Sequence, residues 1–140
     1  MELFPEVDVK ASRDNARALL KKFRSLARMA GRPLIDIKSP TVSDMPKAQS
    51  YGNSQEKHIV GVINAKAEVE KIQQAMSFLP AESYWVLYYS YFTPDYLIGW
   101  EIADKLGVSD DKVVNWRKNK ALLEFAEAYP EQKLLVFKQN

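Results

Sequence analysis

Apolar residues recur at three- and four-residue spacing through the middle of the chain. The series comprises Val62, Ala65, Val69, Ile72, Met76 and Leu79, and Pro80 ends it. This period is typical of an amphipathic helix, so we predict a helix from about Ser54 to Leu79. The seam covers about two and a half heptads, fewer than the three or four that a dimerising coiled coil sustains. Packing within the chain is therefore favoured, and a homodimer stays open as the alternative.

A second amphipathic pattern covers the N-terminal region and predicts a helix from about Ser12 to Ala30. Ser12 is a candidate N-cap, and Gly31 is a stop signal. At about 100° per residue, one side of this helix is apolar and another carries a continuous stripe of cations. The stripe consists of Arg13, Arg17, Lys21, Arg24, Arg28 and Arg32. It is either a solvated face, which is the favoured interpretation, or a surface that contacts phosphates or an acidic partner.

Prolines and small polar residues recur throughout residues 33 to 53, and this pattern predicts a long connection. A connection of this length is uncommon inside a compact domain. It is either a linker that divides the chain near residue 50 or an ordered arm. We therefore predict an N-terminal part over residues 1 to 53, with the basic helix and this connection, and a helical domain over residues 54 to 140.

Aromatic residues crowd the region between Tyr84 and Trp100. They are Tyr84, Trp85, Tyr88, Tyr89, Tyr91, Phe92, Tyr96 and Trp100. The pattern predicts a helix from Ala81 to about Phe92, followed by a break at Thr93-Pro94-Asp95. The helical spacing favours core packing, but there are too many aromatic side chains to bury all of them. The surplus tyrosines are candidates for a partner surface or for a platform that stacks single-stranded nucleic acid.

The pattern of residues 99 to 118 predicts a helix-turn-helix. Ala103 supplies a small side chain where the second helix crosses the first, and Gly107 suits a turn with a positive φ. Val108 follows as a buried plug, and Ser109 is the candidate N-cap of the second helix. The small, glycine and apolar residues thus fall where a tight corner between two helices requires them.

The second helix of this unit, over residues 110 to 125, is the predicted reading element. Val113 and Trp116 are expected to face the first helix, whereas the outward side of the N-terminal half is expected to enter the major groove of DNA. The candidate DNA-contact residues are Ser109, Lys112, Val114, Asn115, Arg117, Lys118 and Lys120. Asn115 can pair with adenine, Lys112 can reach guanine acceptors and Val114 can meet a thymine methyl group. The last three residues of the set are assigned to phosphates.

Two aspartates, Asp110 and Asp111, stand at the start of this helix. One of them could accept a hydrogen bond from a cytosine amino group. The favoured interpretation is that both complement the positive end of the helix dipole.

Composition narrows the range of functions. The chain has no cysteine and a single histidine, His58, which excludes disulfides, thiolate metal ligands and multi-histidine metal sites. It contains no phosphate-cradling glycine loop and no set of nucleophile and base, so neither an enzyme activity nor a cofactor is expected. No apolar run is long enough to span a bilayer, and the acidic N-terminus lacks the layout of a secretory signal. A cytoplasmic protein without membrane contact is therefore expected.

The distribution of charge says more than its total. The net charge is only +2, but cations are concentrated in residues 13 to 32 and again in residues 112 to 120. Such local basic regions are the usual electrostatic footprint of a nucleic-acid interface.

Several features between Leu79 and Ala126 occur together: Leu79-Pro80, an aromatic helix through Tyr91, a short break, and the run from Glu101 to Ser109. This region resembles region four of bacterial sigma factors, which reads promoters. With the predicted helices, the resemblance implies an all-α fold in which a helical N-terminal arm precedes a sigma-like helix-turn-helix domain. Ser109, Lys112 and Asn115 correspond in residue character, whereas Asp110 and Asp111 depart from the basic character usual at that place.

Motifs along nearly the whole chain carry a second resemblance. They are Leu3-Phe4-Pro5, the loop from Ser39 to Lys47, the run Ser50-Tyr51-Gly52-Asn53-Ser54 and the ending Glu124-Phe125-Ala126-Glu127-Ala128-Tyr129. In these motifs the chain is similar to the ArpU-like transcriptional regulators of phages and prophages in Gram-positive bacteria. The resemblance implies a DNA-binding regulator of late phage genes, such as those for packaging or lysis, that acts in the cytoplasm of the bacterial host.

The expected function is sequence-specific regulation through double-stranded DNA. One helix reads too few base pairs for high specificity, so dimerisation or cooperation with host RNA polymerase is expected as well. The alternative is a non-enzymatic adaptor or a small, terminase-like packaging subunit that binds protein and DNA with little sequence preference.

Overall fold

The computed structural model describes residues 5–31 and 53–139, and the fold over these residues is all-α, as predicted. The helices are α1 (Val9–Leu20), α2 (Phe23–Met29), α3 (Asn53–Met76), α4 (Ala81–Leu87), α5 (Gly99–Leu106) and α6 (Asp111–Ala128). A π-helical turn, Tyr88–Phe92, continues α4, and a short 3-10 turn, Pro130–Gln132, follows α6. Apart from Asn53, the predicted connection over residues 33 to 53 lies outside the described residues, as does Arg32. None of the helices over residues 5–31 and 53–139 combines the length and apolar character needed to cross a bilayer.

The predicted basic helix is divided into α1 and α2 by a short turn. It begins earlier than expected, because Asp8 caps α1 by accepting a hydrogen bond from the N–H of Ala11 at 3.1 Å. Ser12 is therefore not the N-cap: it is buried inside α1, where its hydroxyl accepts a hydrogen bond from the N–H of Val136 at 2.8 Å. The predicted end is confirmed, since Gly31 follows α2 with a φ of 74°.

The C-terminal tail lies beside the start of α1. Val7 and Phe137 form an isolated antiparallel β-bridge. Next to this bridge, the N–H of Asp8 donates to the carbonyl of Val136 at 2.7 Å. Together with the hydrogen bond to Ser12, these contacts join α1 to the segment that follows α6.

One hydrophobic core within residues 5–31 and 53–139 holds side chains from each of the helices α1 to α6. Its largest fully buried apolar members are Phe23, Phe92, Phe125, Leu20, Ile72, Leu87, Leu122, Val69 and Val86. The rings of Phe23 in α2 and Phe92 in the π-helical turn lie with their centroids 4.2 Å apart. The core is thus continuous across residue 53, the boundary between the two predicted parts.

The predicted apolar seam of α3 packs within the chain. Ala65, Val69, Ile72 and Met76 are all buried in the core, which confirms the favoured interpretation of this pattern. His58 lies outside the core, near the start of the same helix, and is exposed.

The aromatic region divides between core and surface. Tyr91 and Phe92 are buried, as core packing predicts. Trp85, Tyr96 and Trp100 remain exposed. Trp85 is thus the exposed aromatic residue of α4, whereas Tyr96 lies in the loop before α5 and Trp100 in the first turn of α5.

Candidate nucleic-acid interface

Helix α5, a left-handed turn and α6 follow one another in the predicted order. Ile102 and Ala103 of α5 are buried, and Gly107 ends the helix with φ 73° and ψ 30°. That conformation suits glycine, because a Cβ in the left-handed region is strained. The start of α5 also lies close to α6, since a Cβ added to Gly99 would lie 3.0 Å from the Cβ of Asp111. The first turn of α6 is therefore held against α5.

Asp110 is the N-cap of α6. Its carboxylate accepts hydrogen bonds from the N–H groups of Lys112 at 3.0 Å and Val113 at 3.2 Å. The prediction that Ser109 caps the helix is wrong, because α6 begins at Asp111, one residue too late for that role. The favoured interpretation of the aspartates is confirmed for Asp110, whose negative charge meets the free N–H groups of the helix start.

The buried face of α6 contradicts two predictions. Val114 is only 2% exposed and shares a buried face with Ala121, Leu122 and Phe125, so it cannot reach a thymine methyl group. Trp116, which was expected to face α5, is instead 65% exposed. The reason is the face that the core selects: Val114, Ala121 and Phe125 are seven and four residues apart, whereas Trp116 falls on the opposite side.

The outward face of α6 carries a mixed set of polar and aromatic side chains. Lys112, Asn115 and Trp116 are exposed at three- and four-residue spacing, and half-buried Asn119 follows one turn later. Lys120 is also exposed, with its Nζ 6.0 Å from the centroid of the Trp116 ring. Trp116 is the residue of this face that the sequence pattern assigned to the wrong side, and the spacing of Val114, Ala121 and Phe125, seven and four residues apart, is the signal that indicates the correct side.

The other two predicted phosphate contacts of α6 have partners inside the protein. The guanidinium of Arg117 lies 3.6 Å from the carboxylate of Glu82 in α4. Lys118 is half-buried, and its Nζ lies 5.3 Å from the centroid of the Tyr91 ring. Of the three cations assigned to phosphates, only Lys120 therefore projects freely from α6.

Arg24 has a structural role, contrary to its assignment as a possible phosphate or partner contact. It is only 4% exposed. Its Nε donates to the carbonyl of Thr93 at 2.6 Å, and its guanidinium lies 4.2 Å from the centroid of the Tyr96 ring. A buried guanidinium requires such partners, and these fasten α2 to the loop after the π-helical turn.

The other cations of the basic stripe differ in exposure, and Arg17 of α1 contacts α6. Arg13 and Arg17 are half-buried, and Lys21 and Arg28 are exposed. The Nη2 of Arg17 donates to the Oδ1 of Asn119 at 3.4 Å. This contact brings together the two basic regions of the sequence, which lie about a hundred residues apart, at the edge of the outward face of α6.

The environment of this junction shifts two ionisable groups. Burial lowers the pKa of Lys118 below its usual value, and the neighbouring cations Arg17 and Lys21 lower it further. Burial raises the pKa of the Tyr91 hydroxyl, and the nearby Arg17 offsets part of that rise. The junction is thus a place where positive charge is partly desolvated and crowded.

Comparison with known proteins gives one full-length relative. A protein of Enterococcus hirae, whose name proposes it as an autolysin regulatory protein, ArpU, is 44% identical to this chain over 138 residues. The match covers 99% of this chain and 100% of the relative. No family model matches the chain, and no solved structure matches it significantly.

Proposed function

The chain belongs to the family of the autolysin regulatory protein ArpU, and from this premise we propose that it is a transcriptional regulator that binds double-stranded DNA. In this proposal α5, the Gly107 turn and α6 act as a helix-turn-helix, and the N-terminal half of α6 enters the major groove. The observation that carries the proposal is the outward face of α6, where Lys112 and Asn115 are exposed beside Trp116. Donor and acceptor side chains on an exposed helix face are what direct reading of bases requires.

The residues of α6 divide into base contacts and backbone contacts. Asn115 pairs with adenine, and Lys112 reaches guanine acceptors. Trp116 makes the apolar contact with a thymine methyl group, because Val114, to which the sequence assigned that contact, is buried. Lys120 binds a phosphate, because it is exposed and lies two turns of α6 beyond Lys112, which is assigned to the bases. The cations of α1 that flank this face, with Arg17 nearest to Asn119, add further backbone contacts.

The target genes and partners follow from the resemblances. The word autolysin in the name of the relative favours lysis genes over packaging genes among the late genes of a phage or prophage. The resemblance of residues 79 to 126 to sigma region four supports host RNA polymerase as a partner. We place the protein in the cytoplasm of the bacterial host and assign it no enzyme activity.

The alternative function is an adaptor or small packaging subunit. The observation that favours it is the exposure of two large aromatic side chains: Tyr96, in the loop before α5, is 78% exposed, and Trp100, in its first turn, is 66% exposed. Large exposed aromatic side chains are typical of protein contacts.

Selection from a library of random duplex DNA at near-physiological salt separates the two functions. A recurring motif that wild type retains and Asn115→Ala loses is expected for a base-reading regulator. Asn64→Ala serves as the matched control, because Asn64 is an exposed helical asparagine on α3 and its loss should leave the motif unchanged. Binding without any motif, with an affinity that only falls as salt rises, would refute base reading and favour the adaptor.

A further inference from the structure

Three cations meet at the junction of α1 and α6. Lys118 of α6 lies over the ring of Tyr91 and is half-buried. Arg17 of α1 binds Asn119, the next residue along α6. Lys21 lies one helical turn after Arg17 and is exposed. The junction therefore combines the aromatic ring of Tyr91 with two half-buried cations, Arg17 and Lys118, and one exposed cation, Lys21.

The protein leaves this positive charge largely uncompensated. Arg17 is paired with Asp14 at 2.9 Å, and the same carboxylate is also 3.0 Å from Lys10. Within residues 5–31 and 53–139, no carboxylate lies within 4 Å of the ammonium group of Lys118 or Lys21. Burial and the two neighbouring cations lower the pKa of Lys118, so its charged form is disfavoured where it lies. A bound anion would relieve both the repulsion and the lost hydration.

We propose that Arg17, Lys21 and Lys118 form a binding site for a phosphate group. The Nη1 and Nη2 atoms of Arg17 donate to Asp14 and Asn119, but a guanidinium has five N–H groups, so Arg17 retains donors for a phosphate oxygen. The two ammonium groups add point charges around it. The part that concerns DNA rests on the proposed function: since Arg17 contacts Asn119 at the edge of the outward face, the site would take a backbone phosphate beside the groove that α6 enters. Binding of this phosphate would fix the depth and angle at which α6 enters the groove, and it would not depend on the base sequence.

Inorganic phosphate tests the site without DNA. Titration with phosphate, followed by NMR of the Lys118 side chain, should show saturable shifts and a rise in the pKa of Lys118, because a nearby anion favours the charged ammonium group. Lys21→Gln should weaken this binding, and the variant should fold normally because Lys21 is exposed. Lys57→Gln, which changes an exposed lysine on α3, is the matched control and should bind like wild type. No saturable shift at Lys118 would overturn the site.

Salt dependence of binding to one fixed random-sequence duplex tests the DNA part. Lys118→Gln and Lys21→Gln should each weaken binding about tenfold, the loss of one charged hydrogen bond. Each should also reduce the slope of log K against log salt by about 0.9, the value for one phosphate contact. Phosphate binding with an unchanged salt slope would overturn the assignment to the DNA backbone and leave a site for free phosphate. If wild type binds phosphate but no duplex DNA, the proposed function fails and the phosphate site stands.

Discussion

Replacing Val114 by alanine separates a core residue from a DNA-contact residue. Val114 is buried against the core face of α6, so the substitution removes two methyl groups from a packed site. At about 0.8 kcal/mol for each methyl group, with a further term for the cavity, the loss is about 2.5 kcal/mol. The higher helix propensity of alanine returns about 0.5 kcal/mol. The net decrease in the free energy of unfolding is therefore about 2 kcal/mol, which lowers the Tm by about 8 °C.

Urea unfolding followed by circular dichroism measures this loss, and fluorescence anisotropy at a temperature where both proteins are folded measures DNA affinity. Val60→Ala is the matched control, because Val60 is an exposed valine on α3 and its replacement should leave stability unchanged or slightly raised. Val114→Ala should lower stability and keep the affinity of the folded protein for DNA. A variant with wild-type stability and a lost affinity for one DNA site would refute the packing argument and restore Val114 to the reading face.

The remaining predictions concern the turn, the cap and the exposed tryptophan. Gly107→Ala should destabilise the fold by about 1 kcal/mol, because φ is 73° at this position. Gly61→Ala in α3 should stabilise the fold by a similar amount, because the added Cβ meets open space. Thermal unfolding of both variants measures the two effects. Asp110→Ala should reduce the free energy of unfolding by about 1 kcal/mol through the lost cap of α6, and equal urea midpoints for variant and wild type would contradict this role. Trp116→Ala should lower affinity for the selected DNA motif at least fivefold with little change in stability. Trp85→Ala, on α4, is the control and should leave this affinity unchanged. A similar affinity for both variants would remove Trp116 from the base contacts.

The sequence predicted the elements well, because their signals are local. Helical spacing in α3, the proline before α4 and Gly107 after α5 each depend on a few neighbouring residues, and all are present as predicted. The buried face of α6 was harder to predict. Val114 and Trp116 are two residues apart, about 200° around the helix axis, so only one of them can face the core. The apolar residues Ala121, Leu122 and Phe125 further along α6 share the face of Val114, and that face is the buried one.

The roles of the basic residues depended on contacts that no local pattern contains. Arg24 lies in the same stripe as Arg17, yet it is buried because the loop at Thr93 supplies a carbonyl for it. Arg117 is likewise paired with Glu82 of another helix. The periodicity of α1 identified a cationic face, but only the packing of α1 on α6 shows which of its cations lie beside Asn119.

The pairing of α1 with the segment after α6 has a consequence for folding. The hydrogen bond between Ser12 and Val136 joins residues 124 positions apart, so it closes a long loop. Loop-closure entropy opposes such a contact until the intervening helices are in place, so α1 is expected to dock late in folding. The same step assembles the junction of Arg17 and Lys118. A phosphate bound there would hold α1 and α6 together, so bound DNA would slow local unfolding of α1 and of the segment that follows α6.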